Sequence, residues 1–295
     1  MKRRTWIASL AGTAAVVTGA ALTVNSTANA SVVHAGTSAR TVNAIHATTS
    51  DSTGSSAKPT VVLVHGAWAD ASGWTPVAER LERDGYTVKA PPNPLRGLTS
   101  DAQYIANYLK QIQGPIILVG HSYGGAVITN AAAGNPNVKA LVYIAAFAPD
   151  KGDSLASLNG MQVAHPIPAV PAQPSSFPKP DGTTGTELTI DPAKYSDVFL
   201  DDELPSYEAQ AFAAEQRPLS LDSVTEQSGT PAWSSIPSWY MVAKEDHAIA
   251  PDLERFMAQR AHAHTVEVDG PHLIMFTNPQ PVTDLIERAS TATVH

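Results

Sequence analysis

The chain has 295 residues, of which 43% are hydrophobic, with no cysteine and a formal net charge of −8 at pH 7. The lack of cysteine excludes disulfides, thiol catalysis and cysteine metal sites, and the acidic balance argues against nucleic acid or an anionic membrane as a partner. Stability must therefore come from a hydrophobic core.

The first thirty residues have the pattern of an export signal. A basic start at residues 2–4 precedes an uncharged stretch at 6–24, which ends in the small-x-small cleavage sequence Ala-Asn-Ala at 28–30. The paired arginines favour twin-arginine export slightly over the general secretory route, and the Ala-rich stretch, broken by Thr and Gly, argues against a membrane anchor. We expect a secreted protein with no stable membrane association after the signal at 1–30 is cleaved.

Residues 31–57 are rich in Ser, Thr, Ala and Gly and have few charged or aromatic side chains. Such a segment buries too little surface to offset its ordering entropy, so we expect a flexible leader. The remaining residues, about 58–290, are enough for one α/β domain with a substantial core. We expect residues 58–149 and 236–290 to form this core, and residues 150–235 to be inserted into it.

Strand and helix patterns alternate along both parts of the core. The apolar, β-branched run Thr60–Val64 is typical of a strand buried on both faces of a parallel sheet. Further strands are predicted at 87–90, 115–119, 138–147, 238–243 and 265–268. Helices are predicted at 74–84, 99–112, 123–133, 251–260 and 280–289. This order predicts right-handed crossovers and a doubly wound, mostly parallel sheet of the α/β class.

Residues 150–235 break the alternation. They are Pro-rich at 165–180 and have a helical pattern at about 206–216. Because a structureless loop of this length is unusual inside a compact domain, we interpret the segment as a Pro-rich and helical lid over the carboxyl end of the sheet.

A G-x-S-x-G sequence lies at residues 120–124, between a predicted strand and a predicted helix. The glycines two before and two after Ser122 permit a turn so tight that a side chain there would collide with the neighbouring strand or helix. Such a turn lifts the serine hydroxyl out of the sheet. We therefore predict that Ser122 is a nucleophile.

A serine hydroxyl is a poor nucleophile at neutral pH and needs a base within hydrogen-bond reach. In this arrangement the chain order is serine, then acid, then histidine. His272 fits as the base, because it follows the last predicted strand in a loop above the carboxyl edge of the sheet. Asp246, just after the strand at 238–243, is the predicted orienting acid, with Glu245 and Asp150 as alternatives.

The oxyanion of a tetrahedral intermediate needs two preorganised N–H donors. This arrangement supplies one from the residue after the nucleophile, Tyr123, and one from the loop after the first strand, Ala67. Gly66 lets the backbone of that loop approach the substrate closely, and His65 is expected to hold the loop by hydrogen bonds. Trp68 and Tyr123 flank the oxyanion position and are predicted to line the substrate pocket.

The other histidines suggest little chemistry. His121 is expected to point away from the nucleophile and to pack in the core. His262 and His264 could place two imidazoles on one strand face, but no third ligand is evident, so we predict no metal site. Serine-based hydrolysis needs no metal or organic cofactor, and we predict none.

Five segments, taken in order, resemble a known family. They are HGAW at 65–68, GHSYGG at 120–125, FAPDKGDS at 147–154, PAWSSIPSWYMVAKEDHAI at 231–249 and HLIMFTNP at 272–279. Together they resemble the α/β-hydrolase family that includes plant methyl-ester esterases, hydroxynitrile lyases and bacterial esterases related to pyrethroid hydrolases. The resemblance covers about residues 60–290, and its motifs are specific as an ordered set.

The resemblance implies a short core that lacks the first hairpin of the family fold. It also implies a triad of Ser122, Asp246 and His272, with Ala67 and Tyr123 as the oxyanion donors.

Two positions depart from the lyases of this family. The lyases have a threonine where Gly66 stands, and a lysine that handles the cyanide leaving group where Leu273 stands. The resemblance therefore implies ester hydrolysis rather than cyanohydrin cleavage.

We predict a secreted serine esterase that acts on a small-molecule carboxylic ester through an acyl-enzyme. Lactone hydrolysis and perhydrolysis use the same residues and are the alternative reactions. A ligand-binding protein built on a hydrolase shell is the alternative from a different functional class. Such a protein would be slow with every ester and strongly stabilised by one ligand.

Overall fold

The computed structural model describes residues 58–201 and 203–294. The predicted signal at 1–30 and leader at 31–57 lie outside these residues. No helix within the described ranges is long and apolar enough to cross a membrane.

The strands of the described chain form two separate sheets. In chain order they are β1 (Thr60–Val64), β2 (Thr87–Lys89), β3 (Ile116–Ser122), β4 (Val138–Ala146), β5 (Ala172–Pro178), β6 (Thr184–Ile190), β7 (Leu219–Ser220), β8 (Ser238–Ala243) and β9 (His264–Val268). The six-stranded sheet has the order β2-β1-β3-β4-β8-β9. Every pairing within it is parallel, which confirms the predicted doubly wound α/β class.

Helices cover both faces of the parallel sheet and also occur in the insertion. In chain order they are α1 (Thr75–Arg83), α2 (Leu98–Leu109), α3 (Tyr123–Ala131), α4 (Leu155–Asn159), α5 (Tyr195–Phe199), α6 (Ser206–Glu215), α7 (Leu221–Thr225), α8 (Pro251–Arg260), α9 (Ile274–Thr277) and α10 (Pro279–Thr293). Each helix predicted for the core is present, with ends within four residues of the predicted ones.

Alternate side chains of the central strands pack into two different cores. In β1, Val62 and Val64 face the layer that contains α2, α3 and α8. Val61 and Leu63 face the opposite layer, which contains α1, α9 and α10. All four are fully buried, because a parallel strand covered on both faces has no solvent side. The continuous apolar run in the sequence follows from this burial.

The side on which successive strands are added to the sheet switches between β1 and β3. From β1 the chain adds β2 on one side and then adds β3, β4, β8 and β9 on the other. Loops at such a switch point diverge and leave a crevice at the carboxyl ends of the strands, where open α/β sheets bind their ligands. The loop at 65–68 after β1 and the glycine-rich turn at 120–124 both lie at this crevice.

The chain between β4 and β8, here called the insertion, contains the second sheet, which is three-stranded and antiparallel in the order β5-β6-β7. The predicted helix near 206–216 is present as α6, but the sequence patterns did not predict these strands. Pro174 and Pro178 lie in β5, which is an edge strand. Proline has no N–H to donate, but the open side of an edge strand has no neighbouring strand to bond, so no hydrogen bond of the sheet is lost there.

Candidate active site

Ser122 is the last residue of β3, and α3 begins at the next residue. Its backbone has φ 53° and ψ −126°, a conformation that residues with a side chain rarely adopt. Such strain costs on the order of 1–3 kcal/mol and persists only where the surroundings impose it. The direct junction of strand and helix imposes it here, and holds the serine at the crevice.

The glycines around Ser122 are required by close backbone contacts. A Cβ added at Gly120 would lie 2.6 Å from the carbonyl oxygen of Gly124. A Cβ added at Gly124 would lie 2.5 Å from the carbonyl oxygen of Val64 in β1. Both distances are shorter than real contacts allow, so the tight turn inferred from the G-x-S-x-G pattern is present.

The loop after β1 lies directly against the serine. A Cβ added at Gly66 would come within 2.6 Å of the Ser122 Cβ, so only glycine fits this loop as built. Ala67 follows and lines the same cavity as Ser122 and Tyr123. Tyr123 is the first residue of α3, so its backbone N–H is among those that have no partner within the helix. The two residues predicted to supply the oxyanion donors therefore line the same cavity as the serine.

His65 holds this loop through three hydrogen bonds. Its Nδ1 lies 2.9 Å from the Gly66 carbonyl oxygen, and its Nε2 accepts the Asn93 backbone N–H at 3.0 Å. The Asn93 side-chain amide donates to the His65 carbonyl oxygen at 3.0 Å. Burial lowers the pKa of His65, which suits a neutral ring that donates at Nδ1 and accepts at Nε2. The expected loop-holding role agrees with this geometry.

His272 and Asp246 form a buried pair. Nδ1 of His272 lies 2.5 Å from Oδ2 of Asp246, and both side chains are at most 1% exposed. The other carboxylate oxygen, Oδ1, accepts backbone N–H groups from Ala248 at 2.6 Å and Ile249 at 2.8 Å. The turn after β8 thus fixes the carboxylate, and the carboxylate fixes the imidazole.

The two alternative acids do not contact His272. The Glu245 side chain is exposed to solvent. The Asp150 carboxylate accepts the backbone N–H of Lys151 at 2.7 Å. Of the three carboxylates considered from the sequence, the structure pairs only Asp246 with the histidine.

His121 contacts His272 rather than simply filling the core. The two ring centroids are 4.6 Å apart, and Nε2 of His121 lies 3.0 Å from the His272 backbone oxygen, where it can only donate. Burial, and then the neighbouring His272, lowers the pKa of His121 well below its ordinary value. A neutral His121 therefore supports the loop that carries His272.

Trp68 joins the loop after β1 to the insertion. Its indole N–H donates to the Leu188 carbonyl oxygen in β6 at 2.8 Å. Its own carbonyl oxygen accepts the Tyr195 hydroxyl at 3.0 Å. Trp68 also has a positive φ of 53° and lines the cavity beside Ser122. The predicted pocket residue is thus also a mechanical link between the two parts of the chain.

The Tyr123 side chain is directed into the core instead of offering its hydroxyl to the pocket. It is 1% exposed and donates its hydroxyl to Asp101 at 2.8 Å. Burial, and then the Asp101 carboxylate, raises the pKa of Tyr123 well above its ordinary value. This bond ties α3 to α2 and leaves only the ring surface and backbone of Tyr123 beside the cavity.

Ser122 lines a cavity of about 370 Å³. The core supplies part of its wall through Phe147, Ile249 and Leu253. The insertion supplies the rest, including α4 and the Pro-rich segment 166–170. No charged side chain lines the cavity among the described residues. The cavity suits an uncharged, largely apolar small molecule.

Two aromatic residues of α5 complete the site but were not predicted from the sequence. The Phe199 ring lies 5.5 Å from the His272 ring and 4.6 Å from the Tyr195 ring. The i, i+4 spacing of this pair marks one face of a helix, which is the sequence signal available. That this face covers His272 depends on tertiary contacts.

No cluster of His, Cys, Asp or Glu within residues 58–201 and 203–294 could hold a metal ion. His262 and His264 are both exposed, and the His264 ring packs 5.0 Å from the Trp239 ring.

A model of the alpha/beta hydrolase family matches residues 61–285 of the chain. The carbendazim hydrolyzing esterase of Nocardioides sp. is 36% identical over 110 residues, which are 33% of this chain and 46% of that protein. The chain thus spans about half the length of this relative. Methylesterase 2 of Arabidopsis thaliana is 28% identical over 257 residues, which are 76% of this chain and 92% of that protein.

Among solved structures, an extracellular alpha/beta-hydrolase from a Paenibacillus species is 25% identical with a TM-score of 0.63. The match covers 79% of this chain and 99% of that one. These findings confirm the family resemblance drawn from the sequence motifs.

Proposed function

Because the chain belongs to the α/β hydrolase family, we propose that it is an exported serine esterase that cleaves neutral, apolar esters through an acyl-enzyme on Ser122. An esterase-type hydrolase agrees with the methylesterase and the carbendazim hydrolyzing esterase to which the chain is similar. The observation that carries the mechanism is the buried His272–Asp246 pair, whose histidine packs against His121, the residue before the strained Ser122 that lines an apolar cavity.

In the proposed reaction, Ser122 Oγ attacks the ester carbonyl carbon while His272 accepts the serine proton. Asp246 holds the Nδ1–H of His272, so that Nε2 is the free base, and stabilises the imidazolium that forms. The negative charge on the former carbonyl oxygen is bound by the backbone N–H groups of Ala67 and Tyr123.

Collapse of this intermediate breaks the bond to the alkoxy group, and the imidazolium protonates the departing alcohol. Water, deprotonated by the same imidazole, then attacks the acyl carbonyl. The acid product leaves, and the proton returns to the serine. Each step uses only groups that lie at the crevice of the parallel sheet.

The cavity supports neutral esters as the substrate class. The indole N–H of Trp68 and the hydroxyl of Tyr123 are already bonded to protein acceptors. A substrate carboxylate or ammonium would therefore lose its hydration without gaining a counter-charge. We expect a p-nitrophenyl ester whose acyl chain ends in a carboxylate to react at least about tenfold more slowly than a neutral ester of equal length.

Two contacts support hydrolysis over cyanohydrin cleavage. The loop as built leaves no space for the lyase threonine, because even a Cβ at Gly66 would collide with Ser122. Leu273 is 1% exposed, packs in the core and donates its N–H to Phe199, so no charged group follows His272 into the site.

Export of the protein is supported by the signal pattern at residues 1–30 and by the similarity to an extracellular Paenibacillus hydrolase. Mass spectrometry of the protein recovered from culture medium should show a mature chain that starts at Ser31. A chain that stays in the cytoplasm with residues 1–30 attached would contradict this part of the proposal.

Hydrolysis of p-nitrophenyl acetate and butyrate tests the proposed mechanism. Ser122→Ala should fold and lose activity by at least about 10⁴-fold. A fluorophosphonate probe should label Ser122, as located by mass spectrometry. Ser290→Ala is the matched control, because Ser290 is a buried serine on α10 that does not line the cavity.

Two results would contradict the proposal. Activity retained in Ser122→Ala would place the reaction elsewhere. A folded wild type that neither turns over esters nor takes the probe, but is strongly stabilised by one small molecule, would indicate a binding protein on a hydrolase shell.

A further inference from the structure

Glu254 is a carboxylic acid buried in the apolar core. It lies on α8, on the same helix face as Leu253 and Met257, and it is 0% exposed. An ionised carboxylate in such a place needs a cation or several N–H donors to replace its water. The groups around Glu254 therefore decide its protonation state.

The carboxyl group of Asp246 lies within hydrogen-bonding reach of the Glu254 side chain. The backbone N–H of Ala243 also lies near Glu254, but neither Glu254 oxygen meets a donor with hydrogen-bond geometry. Two ionised carboxylates cannot form a hydrogen bond with each other. A single proton shared by Glu254 and Asp246 supplies the missing donor and removes the repulsion between two negative charges.

The other titratable groups that face Glu254 do not neutralise it. Tyr240 on β8 donates its hydroxyl to the Ala146 carbonyl oxygen, and it is buried and uncharged. Arg255, the next residue on α8, pairs with Glu267 on the exposed side of the helix. Arg255 therefore attracts Glu254 only weakly.

The hydrogen bonds of Asp246 show which of the two acids carries the negative charge. Asp246 accepts two backbone N–H groups and lies 2.5 Å from His272 Nδ1, whereas Glu254 has none of these partners. Burial, and then the Asp246 charge, raises the pKa of Glu254 well above its ordinary value. The proton therefore resides on Glu254.

We propose that Glu254 is a positioning residue that stays protonated at neutral pH and donates its O–H to Asp246. This inference rests on the proposed function, in which Asp246 orients His272. The donated bond adds to those from Ala248 and Ile249 and locks the carboxylate that holds the imidazole. Ionisation of Glu254 at alkaline pH would place a second charge beside Asp246 and disturb the alignment of His272.

The protonation state of Glu254 affects how the stability of the folded protein depends on pH. Below the unfolded-state pKa of about 4.5, Glu254 carries its proton in both states. As the pH rises above that value, the unfolded chain releases the proton while the folded chain keeps it, so the folded state loses stability. The loss stops growing once the folded-state Glu254 itself ionises.

Glu254→Gln tests this because an amide keeps the shape and an N–H donor but has no proton to release. The melting temperature of Glu254→Gln relative to wild type should rise with pH, by at least about 4 °C between pH 5 and pH 8. Glu245→Gln, which removes an exposed carboxylate one residue before Asp246, is the matched control and should show a constant difference.

Infrared difference spectra give a readout that depends on neither activity nor a variant's stability. The spectrum of wild type minus Glu254→Gln at pH 8 should contain the C=O band of a protonated, buried carboxylic acid. A titration of wild type alone should lose this band only at alkaline pH. Absence of the band at pH 8 would show an ionised Glu254 and overturn the proposal, even if the enzyme proved not to be an esterase.

The positioning role is tested by ester kinetics. Glu254→Leu should lower kcat about tenfold with little change in KM, and Glu254→Gln should recover most of that loss. The alkaline limb of the kcat profile should lie at least about one pH unit higher in Glu254→Gln than in wild type. Unchanged kcat in Glu254→Leu, with an unmoved limb in Glu254→Gln, would show a merely structural residue.

Discussion

Gly66→Ala adds one methyl group and removes no charge or hydrogen bond, so it isolates the geometry of the loop after β1. The new Cβ would lie 2.6 Å from the Ser122 Cβ and 3.1 Å from Nδ1 of His121. Since real Cβ atoms essentially never lie within 3.0 Å of a neighbour and nine in ten lie beyond 3.4 Å, the loop or the serine must move by about 0.4–0.8 Å. Ala67 is the next residue and would move with it.

The expected loss of activity follows from that displacement. Misplacement by about 1 Å costs on the order of 10² in rate, and loss of one oxyanion donor costs about 10²–10³, or 2.7–4 kcal/mol. We therefore expect kcat/KM for p-nitrophenyl butyrate to fall about 10²- to 10³-fold in Gly66→Ala. Overpacking should also lower the free energy of unfolding by about 1–3 kcal/mol.

Gly73→Ala is the matched control for this experiment. Gly73 lies in the next turn of the same connection, where an added Cβ would meet only the end of Met275 at 3.4 Å. We expect kinetics close to wild type. The reasoning is refuted if Gly66→Ala folds and keeps kcat/KM within about threefold of Gly73→Ala, because the donor would then not depend on this contact.

Two further substitutions separate catalysis from substrate enclosure. Asp246→Asn should lower kcat by about 10⁴-fold, because the amide favours the wrong tautomer of His272. A kcat near the wild-type value would show that another group orients the His272 ring. Trp68→Phe removes the indole N–H that bonds Leu188, so we expect KM to rise several-fold and the melting temperature to fall by about 2–4 °C. Trp233→Phe is the matched control, because it loses an indole hydrogen bond to the Pro149 carbonyl oxygen, away from the cavity. It should lower the melting temperature by a similar amount without changing KM.

The strands of the parallel sheet could be predicted, because burial on both faces produces continuous apolar runs in the sequence. In the strand Thr60–Val64, which is covered on both faces, residues 61–64 are all apolar and fully buried. The tight turn could be predicted for a related reason, since contacts at Gly120 and Gly124 leave no space for a side chain. Where one physical constraint, such as burial or close backbone contact, dominates a segment, the local structure can be predicted from the sequence.

The antiparallel sheet of the insertion could not be predicted, because several constraints compete there. Pro174 and Pro178 argue against a strand unless the strand lies at an edge, and edge position is a property of the whole sheet. The single helix that the patterns did predict is α6, which buries Ala209 and Ala213 one turn apart. Prediction failed for β5 and β6 although they are consecutive and pair as a hairpin, because the prolines mask the strand pattern.

Glu254 gave a local signal that could have been recognised. Its neighbours Ala250, Leu253, Met257 and Ala258 follow the spacing of one buried helix face, and Glu254 falls on that face. A charged residue type at such a position needs a partner or a proton. The sequence could therefore flag a buried acid, although it could not show that the partner was Asp246, eight positions earlier.

The proposed catalytic residues and much of the cavity wall come from different parts of the chain, which meet at Trp68 and Phe199. Ser122 ends β3, and Asp246 and His272 follow β8 and β9, so the parallel sheet largely sets their positions, while Phe199 of the insertion packs against the His272 ring. Much of the cavity wall comes from the insertion, so changes there alter which ester fits. Because Trp68 bonds Leu188 of the insertion and directly follows the proposed oxyanion donor, repacking of the insertion can also shift that donor. Substitutions in β6 that change substrate preference should therefore often lower kcat as well.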